Sequence, residues 1–143
     1  MTRIKIELPA NFHFNTNIPV RITDLNYGGH VGNDTILSII HEARVQYLAS
    51  LGYSELNMEG ASLIMADAAI EFKAELFYGD VITAYVTASE FSRVGFNLYY
   101  KLEKRSGDVI IDVAFAKTGM ICFNYENRKV AKLPAAAQQR LTV

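Results

Sequence analysis

The stretch NDTILSIIHEARVQYLASL, residues 33–51, decides the fold class. Apolar residues recur at steps of four, three and four, at Ile36, Ile40, Ala43 and Tyr47, and an α-helix brings such positions onto one face. Further apolar side chains widen this face: Leu37, Ile39, Leu48 and Leu51. The opposite face carries Ser38, Glu42 and Gln46. A helix this apolar needs cover over most of its surface, so the pattern predicts one long central helix that ends before Gly52.

The segments around this helix indicate strands. IPVRITDL, residues 18–25, predicts a strand that enters a glycine-rich turn. AIEFKAEL, residues 69–76, alternates with a period of two, placing Ile70, Phe72, Ala74 and Leu76 on one face. Three more strands follow, VITAYVTA (81–88), GFNLYYKLEK (95–104) and VIIDVAFAKTGMICF (109–123), separated by the turns YGD and RSGD. Residues 124–141 predict a turn, a short strand end and a helical turn. One strand, one helix and about four antiparallel strands predict an α+β fold, with a curved sheet wrapped around the helix.

Length and composition exclude several classes of protein. The 143 residues fit a single domain, 1–143, that can bury most of its core. The net charge of −1 and the lack of a basic run argue against nucleic acid as a partner, and no apolar run has the roughly 18–20 residues of a membrane span. The single cysteine, Cys122, predicts a small buried side chain in a protein of the reducing cytoplasm. The three histidines lack metal-ligand spacing, so we expect neither a metal nor a cofactor.

The segment DLNYGGHVGN, residues 24–33, holds the residues best suited to chemistry, directly before the helix. Asp24 and His30 can carry protons, and histidine does so near neutral pH. The same residue types also form turns and caps, with Asn33 or Asp34 a good helix cap, so the segment alone allows a structural or a catalytic role.

Several motifs together resemble one family. Asp24-Leu25-Asn26, Gly29-His30-Val31-Gly32-Asn33, His41-Glu42-Ala43-Arg44 and Tyr78-Gly79-Asp80 occur in this order. They resemble the hotdog-fold acyl-CoA thioesterases, in the branch that includes 4-hydroxybenzoyl-CoA thioesterase and the plant acyl-ACP thioesterases, from about residue 18 to residue 123. The resemblance implies a hotdog fold, an antiparallel sheet of about five strands wrapped around one long central helix. It also implies hydrolysis of an acyl-CoA or acyl-carrier-protein thioester by homodimers, or dimers of dimers, whose sites form between subunits.

The resemblance further implies roles for the residues of the loop. The backbone N–H near Asn33 would polarise the thioester carbonyl, and Gly29 and Gly32 would let the substrate approach the backbone. His30 would act as general base, with Asp24 orienting it or activating the water. The hydroxybenzoyl branch has its catalytic acid at the position of Asn26, which here would position the water or the carbonyl. The chain also departs from the family at Gly28 and Gly32, where relatives have asparagine.

Other residues and functions stay open at this point. Asp67 interrupts the apolar strand SLIMADAAI, residues 62–70, and is either a second acid facing the groove or a paired interface residue. His41 and Arg44 are spaced to meet on one helix flank, as surface or interface contacts. Besides a thioesterase, the chain is compatible with a non-catalytic acyl-thioester binding module, because Asn26 is not an acid. A hotdog enoyl-thioester hydratase or dehydratase, using an Asp–His pair, is the third candidate.

Overall fold

The computed structural model describes residues 1–142, which form a six-stranded antiparallel sheet, two α-helices and a short 3₁₀ turn at Ile22–Asp24. The strands are β1 (Phe14–Pro19), β2 (Ser62–Phe72), β3 (Val81–Ser89), β4 (Gly95–Ser106), β5 (Val109–Asn124) and β6 (Lys129–Val130). The helices are α1 (Asn33–Ser50) and α2 (Ala135–Thr142). The strand order is β1-β3-β4-β5-β2, with the short β6 paired to the end of β5. This architecture confirms the predicted α+β hotdog fold. Neither of these helices is both long enough and apolar enough to cross a membrane.

Helix α1 forms where the periodicity predicts it. Most of its predicted apolar face is buried, and Ile40, Ala43 and Leu48 are completely enclosed. The helix stops at the predicted glycine, because Gly52 adopts a φ of 81° that other residues disfavour. The expectation of cover over most of its surface is wrong for this single chain, since Leu37 and Val45 remain 37% and 45% exposed.

The three long strands after the helix confirm the alternating patterns. β3, β4 and β5 lie within two residues of their predicted bounds and pair in sequence as an antiparallel meander. The predicted turns are also present: Gly107 has a φ of 62° between β4 and β5, and Gly79 has a φ of 96° before β3. These strands supply the apolar layer under α1, including the fully buried Ile82, Leu98 and Leu102.

The first strand lies earlier than predicted, at Phe14–Pro19 instead of residues 18–25. β1 ends at Pro19, and the 3₁₀ turn replaces the rest of the expected strand. The cause is local, because the Asp24 carboxylate accepts a hydrogen bond from the Arg21 backbone N–H at 2.8 Å and bends the chain.

The second strand lies earlier than predicted, and the C-terminal segment is more helical. After Phe72 the chain leaves the sheet, since the N–H groups of Lys73 and Ala74 both donate to the Val113 carbonyl. As a result Leu76 is buried whereas Phe72 is 43% exposed, so the two do not share one face. The expected C-terminal helical turn is the eight-residue helix α2.

Candidate active site

The segment between the 3₁₀ turn and α1 is a compact loop that is fastened to the chain after β2. The Asn26 N–H donates to the His30 carbonyl at 2.8 Å, and Leu25 and Val31 form an isolated antiparallel bridge. The Val31 N–H donates to the Leu76 carbonyl at 2.9 Å. This last bond places His30 beside Glu75.

The ring of His30 is held with one nitrogen free. Its Nδ1 lies 3.2 Å from the Val31 carbonyl oxygen, which can only accept, so Nδ1 carries the hydrogen. Nε2 then presents its lone pair and lies 4.0 Å from Glu75 Oε1. A carboxylate at this distance stabilises the imidazolium that forms when Nε2 takes a proton. The arrangement is suited to general base chemistry.

Asn26 and His30 face the same small space. Asn26 Oδ1 accepts a hydrogen bond from the Gly28 N–H at 2.8 Å, which leaves the amide N–H₂ free to donate. A Cβ atom on Gly28 would lie 3.2 Å from Asn26 Oδ1 and 3.3 Å from His30 Nε2. The space between the two side chains is therefore open because residue 28 is glycine.

The start of α1 offers unpaired backbone donors next to this loop. Gly32 is the N-cap residue and supplies no side-chain acceptor, so the expectation that Asn33 or Asp34 caps the helix is wrong. The Thr35 and Ile36 N–H groups turn back to the Gly32 carbonyl, whereas the N–H groups at the very start of a helix have no partner within it. With the positive end of the helix dipole, these donors suit a developing oxyanion.

Asp24 has a different partner from the one expected. It is buried, and its two oxygens lie 2.8 Å from the Arg21 backbone nitrogen and 3.4 Å from the Arg21 guanidinium. The carboxylate thus stabilises the 3₁₀ turn. The groups beside the His30 ring are instead the Val31 carbonyl, 3.2 Å from Nδ1, and Glu75 Oε1, 4.0 Å from Nε2. Gly29, with a φ of 79° and no atom within 4 Å of its Cβ position, provides the open turn.

Asp67 lies in an ion pair on the sheet rather than beside His30. Its Oδ1 accepts hydrogen bonds from Lys117 Nζ at 2.8 Å and from the Gly119 N–H at 2.9 Å. The Lys117 ammonium beside it holds the pKa of Asp67 below its usual value. Of the two alternatives that the sequence left open, these contacts fit a paired residue, and they do not bring Asp67 to the loop.

The pair on the helix flank is only partly at the surface. His41 Nε2 lies 2.8 Å from Glu55 Oε1, but Arg44 is buried and donates to the Tyr100 hydroxyl at 3.3 Å. The two side chains do meet, because Arg44 Nε also lies 3.6 Å from Glu55 Oε1, but Arg44 is buried within the chain and is not at a surface. Cys122 is the predicted buried residue, and burial raises its pKa to about 11. Within residues 1–142 no three His, Cys, Asp or Glu side chains come together as a metal site.

Glu75 is the site residue that the sequence pattern missed. In AIEFKAEL it is only one of the polar positions, like Glu71 and Lys73. The hydrogen bond between Val31 and Leu76 brings Glu75 to the loop, and no local sequence pattern predicts such a contact.

The hotdog fold and the loop at the helix start define the class as thioesterase-like. Residues 20–141 match the family model of the thioesterase-like superfamily, and the chain belongs to that superfamily. It is 28% identical, over 80% of this chain and 87% of the relative, to a protein of Aquifex aeolicus (strain VF5) whose name assigns it provisionally to the esterases. A 1,4-dihydroxy-2-naphthoyl-CoA thioesterase from Synechocystis has a similar structure, with a TM-score of 0.80, 26% identity, and coverage of 90% of this chain and 95% of that one. A thioesterase superfamily protein from Jannaschia sp. CCS1 shares the fold at a TM-score of 0.82 and 18% identity, covering 94% and 84% of the two chains.

Proposed function

We propose that the protein hydrolyses an acyl-CoA thioester to the free acid and CoA, with His30 as the general base. The observation that carries this proposal is the His30 ring, with Nε2 free, 4.0 Å from Glu75 Oε1 and beside the uncapped start of α1. The naphthoyl-CoA thioesterase, which is 26% identical, supports CoA as the carrier. A thioester carried by an acyl-carrier protein has the same reacting group and is the alternative substrate.

The chemistry follows from the positions of these groups. The thioester carbonyl oxygen lies at the N–H groups near Asn33, which stabilise its negative charge as water attacks. His30 Nε2 removes one proton from the water, and Glu75 stabilises the resulting imidazolium. The Asn26 amide holds the water or the carbonyl. The carbon–sulfur bond then breaks, and the imidazolium returns its proton to the thiolate.

A groove near the loop offers room for the acyl group. It has a volume of about 360 Å³ and runs between β1 and the outer face of α1. Ile18, Pro19, Ile39 and Val45 form its apolar part, and polar side chains such as His41 and Glu42 line the rest. The groove meets the loop at Asp24, and His30 is not part of its lining. An acyl chain in this groove would bury part of the helix surface that a single chain leaves exposed.

A homodimer, alone or paired into a tetramer, is part of the proposal. β2 is an edge strand of the sheet, and its residues 65–68 are exposed, with Met65 at 41% and Phe72 at 43%. An exposed apolar edge of this kind favours pairing with a second strand. Light scattering should therefore give a native mass of at least twice 16.0 kDa. The single buried thiol suits a reducing compartment, and we propose the cytoplasm.

The experiment that tests the function measures thiol release across short, long and aryl acyl-CoA substrates. We expect saturable release of CoA with at least one class of acyl-CoA substrate. Tight binding without turnover would instead favour the binding module, for which the amide at Asn26 is the supporting observation. Reversible hydration of an enoyl-CoA would favour the hydratase, although Asp24 binds Arg21 rather than His30.

A further inference from the structure

The Asp34 carboxylate lies on the first turn of α1, and both it and Asn26 border Gly32. Asp34 folds back over Gly32, so that a Cβ atom on Gly32 would lie 2.6 Å from Asp34 Oδ1 and 3.6 Å from Asn26 Cβ. The Asp34 side chain is exposed and does not cap the helix. The ion pairs within residues 1–142 do not include it. Its oxygens are therefore available to a molecule in the site.

We propose that Asp34 positions the attacking water, and so supplies the carboxylate that the chain lacks at Asn26. This inference rests on the proposed thioester hydrolysis. A carbonyl held by the N–H groups near Asn33 has its carbon beside the first turn of the helix, where Asp34 stands. One hydrogen of the water goes to His30 Nε2, and the other is held by the Asp34 carboxylate. That second hydrogen stays on the hydroxyl group, which becomes part of the acid product.

The glycine at residue 32 is explained by the same arrangement. Its φ of −69° and ψ of 152° suit any residue, so the backbone does not require glycine there. A Cβ at residue 32 would lie 2.6 Å from Asp34 Oδ1, the end of a flexible and exposed side chain, and would displace the carboxylate from its position. The position of the Asp34 carboxylate therefore depends on glycine at residue 32.

A purely structural role for Asp34 predicts something different. A carboxylate in the first turn stabilises a helix through the dipole, and any acid in that turn does so. Adding Thr35→Asp to Asp34→Asn restores the charge of the first turn but not the carboxylate above Gly32. This double variant separates the two roles.

The experiment measures kcat and KM for thiol release, with thermal melting to check the fold. Asp34→Asn should lower kcat by about tenfold to a hundredfold, which is the loss expected when a reacting group is misplaced, and it should leave KM little changed. Asp34→Asn/Thr35→Asp should stay equally slow. Asp108→Asn, which removes a charge in the turn between β4 and β5, is the matched control and should keep the wild-type kcat.

A mutant cycle with Gly32→Ala tests the contact directly. Gly32→Ala should also lower kcat, yet it should add little in the Asp34→Asn background, because the carboxylate that it displaces is already gone. Three results would overturn the role of Asp34 and leave the proposed function standing. They are a wild-type kcat in Asp34→Asn, recovery of kcat in Asp34→Asn/Thr35→Asp, and fully additive losses of kcat in the cycle. If the wild-type protein releases no thiol from any substrate, the proposed function is overturned and this inference with it.

Discussion

Replacing Glu75 by glutamine tests the partner of His30 with little change of shape. The substitution removes a negative charge 4.0 Å from His30 Nε2. Two unit charges at this distance interact by about 1 kcal/mol in water and by about 4 kcal/mol at an effective dielectric constant of about 20. The Glu75 and His30 side chains are 64% and 33% exposed, so the value for water applies. A loss of about 1 kcal/mol in the transition state lowers kcat about fivefold.

The assay is thiol release at saturating substrate for four proteins: wild type, Glu75→Gln, His30→Gln and the double variant. His30→Gln should lose about 10²–10⁴-fold in kcat, as expected for a general base. Glu75→Gln should have no further effect in that background, because the imidazolium it stabilises is absent. The fivefold effect should also shrink at 1 M salt, where the screening length is about 3 Å. Glu126→Gln, in the exposed turn after β5, is the control for loss of one charge.

Two results would refute this reasoning. Wild-type kcat in His30→Gln would remove the general base from the mechanism. A Glu75→Gln effect that is equally large with and without His30 would mean that Glu75 acts on something other than the imidazolium.

Three further predictions concern the loop, the edge strand and the buried thiol. Asn26→Asp should leave kcat unchanged or lower it, since a second carboxylate in the site would repel that of Asp34; a large gain over an almost inactive parent, in the thiol assay, would contradict this. Ala68→Lys, on the exposed part of β2, should shift the native mass measured by light scattering toward the monomer, because pairing with a second strand would bury the charged lysine. Burial raises the pKa of Cys122 from 9.0 to about 11, which favours the neutral thiol in the fold. Its contribution to stability is therefore complete below pH 9 and lost as the pH rises through 11, and urea midpoints should fall more steeply over this range for wild type than for Cys122→Ala.

Periodicity predicted the parts of the fold that depend on near neighbours. The face of α1 is set by residues three and four apart, and the alternation along β3, β4 and β5 by residues two apart. The stop at Gly52 also follows from one residue's backbone freedom. The early end of β1 has a local cause as well, because Asp24 bends the chain by binding Arg21, but the apolar pattern of residues 18–25 did not show it and also missed the start of the strand at Phe14.

Some features of the candidate site follow from the local sequence, and others depend on the tertiary structure. The sequence by itself placed His30, Asn26 and the glycines in one loop before the helix, since all belong to one short segment. Only the tertiary structure paired His30 with Glu75 and buried Arg44 against Tyr100. These partners lie far apart in the chain, so their contacts depend on how the strands and helix pack. Packing is a collective result of the whole core, and short-range patterns of polarity carry little information about it.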